Sequence, residues 1–548
     1  MLKMRLGRYT VWIACIALFA LGVGMHPETF WGWTFTIIPA LLAFLGLHDR
    51  FQTSHAVLRN YPVIGHVRWL VEMVRPEIRQ YLLESEDEAT PFSRAQRSLV
   101  YRRSKAVSSD HPFGTLMDVY ADKYEFIKHA MRPLVAADPK SFRITIGNDQ
   151  CTQPYSASIF NISAMSFGSL SANAIRALNK GAAMGGFYHD TGEGSISSYH
   201  REFGGDIVWE IASGYFGCRN AEGKFDPDRF AAQAANPQVK MIEIKLSQGA
   251  KPGHGGILPG KKVTPEIAET RGVMVGVDCV SPACHSAFAT PLEMMAFIAQ
   301  LRSLSGGKPV GFKLCIGQPW EFMAIVKAML ASGVVPDFIV VDGGEGGTGA
   351  APVEFSDHIG TPMREGLLFV RNVLVGAGLR ERIKIGVAGK LISAFDIATV
   401  LAIGADWTNA ARGYMFALGC IQSMHCHTNT CPTGVATQDP SRQNALVVPE
   451  KAERVRQFHD RTVNALADML AAAGVAHPDD LRPHHLAHRT SAAELRQFDD
   501  LHDYLQPGEL LGGSCEHRYY AENWQRAQVI SFDPATYPAS RPKALAPA

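Results

Sequence analysis

Phe338-Ile-Val-Val-Asp342-Gly-Gly-Glu-Gly-Gly-Thr-Gly349 decides the reading of this chain. A short apolar run rich in β-branched residues reads as a buried strand, and a glycine-rich loop follows at once. The same grammar recurs at Ile159-Phe-Asn-Ile-Ser163, Met241-Ile-Glu-Ile-Lys-Leu246, Val310-Gly-Phe-Lys-Leu-Cys-Ile316, Ile383-Lys-Ile-Gly-Val387 and Ala405-Asp-Trp-Thr-Asn409. Helical patterns over 291–303, 321–331 and 394–403 lie between these runs. Alternating strands and helices imply a parallel sheet. Over residues 151–440 the repeat suits an α/β fold, a (β/α)8 TIM barrel with insertions, better than an open sheet.

A barrel places its active site at the C-terminal ends of its strands. The candidates are therefore the residues that close each run. Met165 and Ser166 lie in Ser163-Ala-Met-Ser-Phe-Gly-Ser169, and Glu193 lies in Asp190-Thr-Gly-Glu-Gly194. Lys245, Gln248 and Lys251 lie in Lys245-Leu-Ser-Gln-Gly-Ala-Lys-Pro-Gly253. Lys313 interrupts an apolar strand, where a solvated lysine is unusual. Asp342, Gly343, Gly344 and Gly346 follow the opening run, and Gly389, Lys390 and Arg412 follow the last two. Loops after barrel strands seven and eight commonly hold phosphate on backbone N–H groups, and glycine permits the close approach. The phosphate of flavin mononucleotide (FMN) is the expected guest if the protein is a redox enzyme. Any one of these loops alone is an ordinary tight turn; the series at strand ends makes a site. Gly344-Glu-Gly-Gly-Thr-Gly349 also matches dinucleotide spacing. That fingerprint needs a second strand ending in an acidic residue about 20 positions on, and 364–370 reads as helix.

Cys420-Ile-Gln-Ser-Met-His-Cys426-His-Thr-Asn-Thr-Cys431-Pro432 gathers three of the ten cysteines. Clustered thiolates bind soft metals, and iron–sulfur clusters are held through them. Three ligands suit a three-iron cluster. The spacing alone leaves open a zinc site completed by His425 or His427, or reduced thiols that bind nothing. The sparse remaining cysteines make no disulfide framework. A net charge of +1 excludes the electrostatic footprint of a nucleic-acid binder.

Residues 9–25 and 30–47 are apolar and uncharged. They read as a hairpin of two transmembrane helices over 1–50, with Trp31 and Trp33 near one interface. A cleaved signal peptide is the rival reading, but a second apolar run follows at once. Lys3, Arg5 and Arg8 precede the first run; Arg50, Arg59 and Arg68 follow the second. The positive-inside rule then sets both ends, and the catalytic part, on the cytoplasmic side of the inner membrane. Residues 51–150 read as a helical connecting region, and 441–548 as a helical C-terminal extension. Its helices are expected over 449–473 and 491–504, ahead of a Pro-rich tail.

Several stretches together resemble the FMN-binding synthase domain of glutamate synthase, in its short membrane-anchored form. They are Ser163-Ala-Met-Ser-Phe-Gly168, Thr191-Gly-Glu-Gly194, Ser213-Gly-Tyr-Phe-Gly217, Ile242 through Gln248-Gly-Ala-Lys-Pro-Gly253, Gly344 through Ala350, and Gly419 through Gln438. The resemblance spans roughly residues 95–440. It implies FMN in the barrel and a [3Fe–4S] cluster on Cys420, Cys426 and Cys431. The implied reaction is reductive amination of 2-oxoglutarate with ammonia to give glutamate. Lys251 and Arg271 match positions near the 2-oxoglutarate carboxylates, and Glu193 matches an acidic residue at the substrate site. Lys245 and Lys313 match best as contacts to the flavin ring or its phosphate.

The chain also departs from that pattern. Apolar runs stand where a glutaminase domain would precede the barrel, so glutamine splitting is expected from a separate glutaminase subunit, or free ammonia is used. No nicotinamide-binding domain is visible, so a ferredoxin-like protein or another subunit is the expected electron donor. Ile257 stands where a polar residue is expected near substrate. That leaves room for a related flavoenzyme acting on another amino or oxo acid, such as one forming an N-substituted glutamate, or for an electron-transfer flavoprotein.

Overall fold

The computed structural model describes residues 8–25, 28–52, 55–85, 91–110, 112–513 and 515–537. The chain divides into two compact units after Arg94.

In the larger unit eight strands close into a barrel. In chain order they are β1 (Phe160–Ile162), β2 (His189–Asp190), β3 (Ile207–Ile211), β4 (Val239–Lys245), β5 (Val310–Leu314), β6 (Phe338–Asp342), β7 (Lys384–Ala388) and β8 (Trp407–Ala410). Every neighbouring pair is parallel, and β8 closes on β1. Strands buried on both faces need apolar residues at nearly every position. Six of the eight are the runs expected from the sequence. The other two were not singled out. β2 has only two residues, too short for a pattern, and β3 carries Trp209 and Glu210 within its apolar run.

The intervening helices start where local chemistry lets them. Thr290 caps Pro291–Leu304 in a reciprocal capping box with Glu293, and Ser393 does the same for Ala394–Ile403 with Asp396. Helix Val448–Ala472 packs on helix Ala172–Gly185. There a β-carbon at Gly181 would lie 2.6 Å from Val455, so glycine sets how closely the two helices approach.

Two local expectations need correction. The region 51–150 is helical as far as Arg94–Ser104, but beyond that it contains the strands Glu125–Ile127 and Arg143–Ile146. The pattern at 491–504 reads as helix, yet Leu486–Ser491 and Glu494–Gln497 form an antiparallel hairpin, with only Phe498–Leu501 helical after it. Strand Glu125–Ile127 pairs with this hairpin. A partner more than 350 positions away in the chain supplies the ladder hydrogen bonds, which no local window can show.

In the smaller unit, helices Thr10–Gly24 and Phe30–Phe51 pack together. Trp12 Nε1 donates to the Ala43 carbonyl at 2.9 Å, and its ring lies against Gly46. Phe30–Phe51, with 22 residues, is long and apolar enough to cross a membrane. Thr10–Gly24 has 15 residues and at 1.5 Å per residue falls short of a hydrocarbon core of about 30 Å. Asp49 is buried near the end of the longer helix and accepts from His66 Nε2 at 2.9 Å and Val63 N at 3.0 Å. Lys3 and Arg5, which carry the topology expectation, and the 538–548 tail lie outside the described residues.

Candidate functional site

The strand-end loops converge on one mouth. Glu193, in the loop after β2, is 3.1 Å from Lys245 Nζ at the end of β4. The same ammonium donates to Gln248 Oε1 at 2.6 Å. Burial by itself would raise the Glu193 carboxyl; Lys245, Arg271 and Lys251 outweigh it and hold the group below the usual carboxylate range. Gly256 touches this carboxylate: a β-carbon there would fall on Glu193 Oε1. Lys251 is buried, and burial lowers its ammonium, with Glu193 pulling the other way.

Arg271 is 3% exposed, which is rare for an arginine. One Nη2 hydrogen bond, 2.8 Å to the Phe167 carbonyl, ties it to the loop after β1, and its guanidinium lies over the Phe216 ring. Its Nε has no partner. Gly194 and Gly168 both lie against this guanidinium, and a β-carbon at Gly194 would come within 2.9 Å of Nη2. Three loops thus meet at Glu193 and Arg271. Met165 and Ser166 form one wall; Gly192 packs on their backbone so closely that a β-carbon would lie 2.7 Å from Ser166 N.

On the opposite side of the mouth, Asp342 Oδ2 accepts from Gly249 N at 3.0 Å, joining β6 to the loop after β4. Burial raises the Asp342 carboxyl. Gly343 N donates to Ala388 O and Gly344 N to Thr361 O, tying the glycine loop to β7 and to the segment before helix Met363–Gly376, while Gly346 N turns back on Gly343 O. Here the dinucleotide-like spacing is a barrel loop: the chain runs on into helix Met363–Gly376, as expected, and not into a second strand. Arg412 Nη2 donates to Thr348 O at 2.8 Å and packs on Gly347. Gly389 faces Met363 and Glu345, and Lys390 is held at φ +51°. Ser195 and Tyr215, also in strand-end loops, share this left-handed backbone. Such strain in non-glycine residues concentrates at functional sites.

Lys313 is placed differently from the other lysines. Its ammonium bonds Glu210 and lies 3.3 Å from Glu243 inside the barrel. His285 was not singled out by sequence. Its Nε2 bonds the Lys245 carbonyl at 2.9 Å and its Nδ1 meets Tyr215 Oη at 3.1 Å, so it fixes the end of β4. Burial pushes the His285 imidazole down to about 4. A neutral ring donates from Nε2 and accepts at Nδ1 from the tyrosine.

The cysteine loop follows β8. Cys420 and Cys431 are buried and Cys426 is half-buried. Tyr101 Oη donates to the Cys420 carbonyl at 2.6 Å. Lys262 Nζ, buried, bonds the carbonyls of Ser169 at 2.9 Å and Cys426 at 3.3 Å, linking this loop to the one after β1. Burial would raise the Cys431 thiol, but donors from Thr433, Ala436 and Val435 turn it below the ordinary thiol value; burial pushes Cys420 up to about 11. Among the described residues, no three potential ligand atoms of this loop lie within 4.8 Å of one another. A tetrahedral zinc ion needs sulfurs closer than that, about 3.8 Å apart for Zn–S bonds near 2.3 Å. A multi-iron cluster spaces its thiolates more widely.

Residues 108–476 match the conserved region in glutamate synthase. The chain belongs to the glutamate synthase family. It is similar to the glutamate synthase large subunit-like protein YerD of Bacillus subtilis, at 37% identity covering 90% of this chain and 98% of that protein. It is also similar to an archaeal-type glutamate synthase [NADPH] of Thermotoga neapolitana, at 35% identity over 58% of this chain and 60% of that one. Among solved structures, a mandelate oxidase with (S)-4-hydroxymandelic acid overlaps 79% of this chain and 98% of its own at 15% identity, with a TM-score of 0.40. That likeness is too low to carry an argument. As a glutamate synthase family member the chain is an oxidoreductase of the class acting on CH–NH2 groups.

In this family member Glu193, Lys245, Lys251 and Arg271 share the mouth, while Lys313 is engaged by internal carboxylates. Sequence reasoning missed Gly256, His285, Lys262 and the internal acids. For the acids a signal existed: Glu210 and Glu243 each interrupt an apolar run, and a charge inside such a run has to be paired.

Proposed function

We propose that this chain catalyses the ammonia-dependent half of the glutamate synthase reaction, reductive amination of 2-oxoglutarate. The observation that supports it most is the convergence of Lys245, Lys251 and Arg271 around Glu193 at the barrel mouth. A substrate with two carboxylates needs such a cationic lining, and arginine suits carboxylates by its planar fork. Condensation with ammonia releases water and gives 2-iminoglutarate; a hydride to its carbon and a proton then complete glutamate.

The residues present fit FMN. The backbone N–H of Gly389, at the end of β7, bonds no carbonyl among the described residues and is a donor available to a phosphate. Met165, Ser166, Gln248, Gly343, Gly344, Gly346, Gly389, Lys390 and Arg412 would hold it. The cysteine loop fits a three-iron cluster by its three thiols and the N–H donors around Cys431. When bound, these groups supply electron transfer and hydride chemistry that side chains lack. The protein's share is to bind, orient and exclude water. Arg271 and Lys251 neutralise carboxylates, Glu193 faces the cationic imine, and His285 holds Lys245 in place.

Ile257, 44% exposed directly after Gly256, favours a second reading. An aliphatic side chain beside the Glu193 pocket suits an acceptor or amine with an apolar substituent. The electron donor on either reading is a ferredoxin-like protein or another subunit, and ammonia arrives free or from a separate glutaminase. Phe30–Phe51 and its neighbour helix attach the chain to the membrane, with the barrel on the cytoplasmic side.

The test is anaerobic. The flavin of the purified chain is photoreduced, 2-oxoglutarate and ammonium are added, and flavin absorbance and glutamate are followed. Rapid reoxidation with one glutamate per flavin supports the reading. A flavin that stays reduced with these substrates, but reoxidises with a substituted amine, supports the second.

A further inference from the structure

Inside the barrel, beneath the mouth, three buried carboxylates from three successive strands share one pocket. Asp190 ends β2, Glu210 lies in β3 and Glu243 in β4; their oxygens lie within 4.8 Å of one another and all three side chains are buried. Glu210 and Glu243 are lateral partners in the β3–β4 register, an arrangement that like charges disfavour. Among the described residues the pocket has one cation of its own. Lys313 Nζ bonds Glu210 and lies 3.3 Å from Glu243 Oε1. The lysine therefore stands among the carboxylates where a metal ion would have to go.

The other groups facing the pocket do not balance it. Asp342 of β6 adds a fourth buried carboxylate. Lys245 acts on Asp342 but is engaged by Glu193 and Gln248. Tyr188, ahead of β2, spends its hydroxyl proton on Asn409 Oδ1 at 2.6 Å and accepts from Trp407 Nε1 at 2.8 Å. Asp190 Oδ1 accepts one backbone N–H, from Gly192 at 3.0 Å. Among the described residues Glu243 Oε1, with its side chain 2% exposed, makes no well-formed hydrogen bond; only the Lys313 ammonium, 3.3 Å away, reaches it as an ion pair. Three negative charges this close, out of water and facing one ammonium, are not all stable together. In such clusters one carboxyl keeps its proton, as paired acids do in other proteins.

We propose that Asp190, Glu210 and Glu243 hold one shared proton at neutral pH, a proton-loading site built into the barrel beneath the strand-end loops. The proton bridges toward Glu243 Oε1, which has the Lys313 ammonium at 3.3 Å but no well-formed hydrogen bond among the described residues, and the cluster with Lys313 then carries a net charge of −1. Burial and the neighbouring acids act in the same direction, pushing Glu243 up to about 7 and Asp190 well above its usual range. A negative charge added at the mouth strengthens proton binding here, and its departure weakens it. No electron or covalent bond is involved. The inference stands on the pocket alone, whatever substrate the mouth accepts.

The test is infrared spectroscopy of the full chain at pH 7 in H2O and D2O. A carboxylic-acid C=O band, shifted by deuterium, is expected in the wild type. In Glu243→Gln the two remaining carboxylates face Lys313 and the band loses the intensity of one acid group. In Lys313→Met the cluster takes up a further proton and the band grows by about one acid group. Asp190→Asn carries the same expectation as Glu243→Gln and replaces it if that variant does not fold. A wild type without such a band, or a band unchanged in the glutamate and lysine variants, overturns the proposal. So does abolition of the band by added Mn2+ at stoichiometric binding, which would make the pocket a metal site.

Discussion

Glu193 Oε2 lies 3.1 Å from Lys245 Nζ, so the loop after β2 and the last residue of β4 are joined by an ion pair at the barrel mouth. Both side chains are mostly sheltered, at 17% and 10% exposed. Lys245 is the first of the cations that lower the Glu193 carboxyl against burial. Lys245→Met is therefore expected to raise the Glu193 pKa and move the acid limb of the pH–rate profile to higher pH. The sign is that of a depressed carboxylate: the pair's contribution is complete above the unfolded-state pKa and is lost as pH falls through the folded one. An unshifted acid limb would show that Glu193 is not the group being titrated.

Gly256 has no room for a side chain without moving Glu193. The obstructed atom is the end of a flexible side chain, so folding is expected to survive Gly256→Ala. On the proposed function Glu193 faces the substrate, and displacing such a carboxylate by about 1 Å costs on the order of 100-fold in turnover. Steady-state glutamate formation and thermal unfolding of the same preparation check both halves. Full activity with a retained fold would remove Glu193 from the site.

His285 is neutral in the fold, at about 4 against an ordinary 6.5, because burial disfavours its charged form. The unfolded chain binds the extra proton, so the contribution is complete above about pH 6.5 and is lost as pH falls toward 4. Raised buried acids such as Glu243 act in the opposite direction, so the wild type alone does not isolate the effect. His285→Gln does. Relative to that variant, the wild type is expected to lose about 3 kcal/mol between pH 7 and 4 in urea unfolding. Parallel pH curves for the two would contradict a neutral, buried imidazole.

The cysteine loop carries a prediction about composition. Cys431→Ser removes a buried thiol that accepts several hydrogen bonds and that the proposed function assigns to the cluster. Iron and acid-labile sulfide are expected to fall together to near zero in anaerobically purified protein, with the barrel still folded and flavin retained. Retained iron would mean that another set of residues holds it; zinc in place of iron would restore the structural-metal reading.

The recurrence of apolar runs and glycine loops made the barrel legible, because strands buried on both faces require apolar residues almost throughout. The runs at 241–246, 310–316 and 338–342 became β4, β5 and β6 with small changes at their ends. His189–Asp190 escaped notice because two residues carry no period. The hairpin at 486–497 was misread because its partner, Glu125–Ile127, is remote in the chain. At the mouth, Lys245 and Lys251 were legible from a dense loop motif. Gly256 and His285 were not, since their roles rest on contacts made only after the loops meet.

Sequence by itself determined the barrel, the order of its strand-end loops, the family and the residue types those loops offer. Periodicity, glycine placement and local motifs are properties of neighbouring residues, and the chain displays them directly. The tertiary structure decided which side chains share a charge. Lys245 and Lys313 look alike in sequence, each in an apolar strand, and they are lateral partners in the β4–β5 register. Yet one reaches the mouth beside Glu193, and the other is held within the barrel by Glu210 and Glu243. Closing the barrel sets their depth and removes water from one more than the other. Burial and Coulomb interaction at that depth then fix their partners and protons, which no linear pattern encodes.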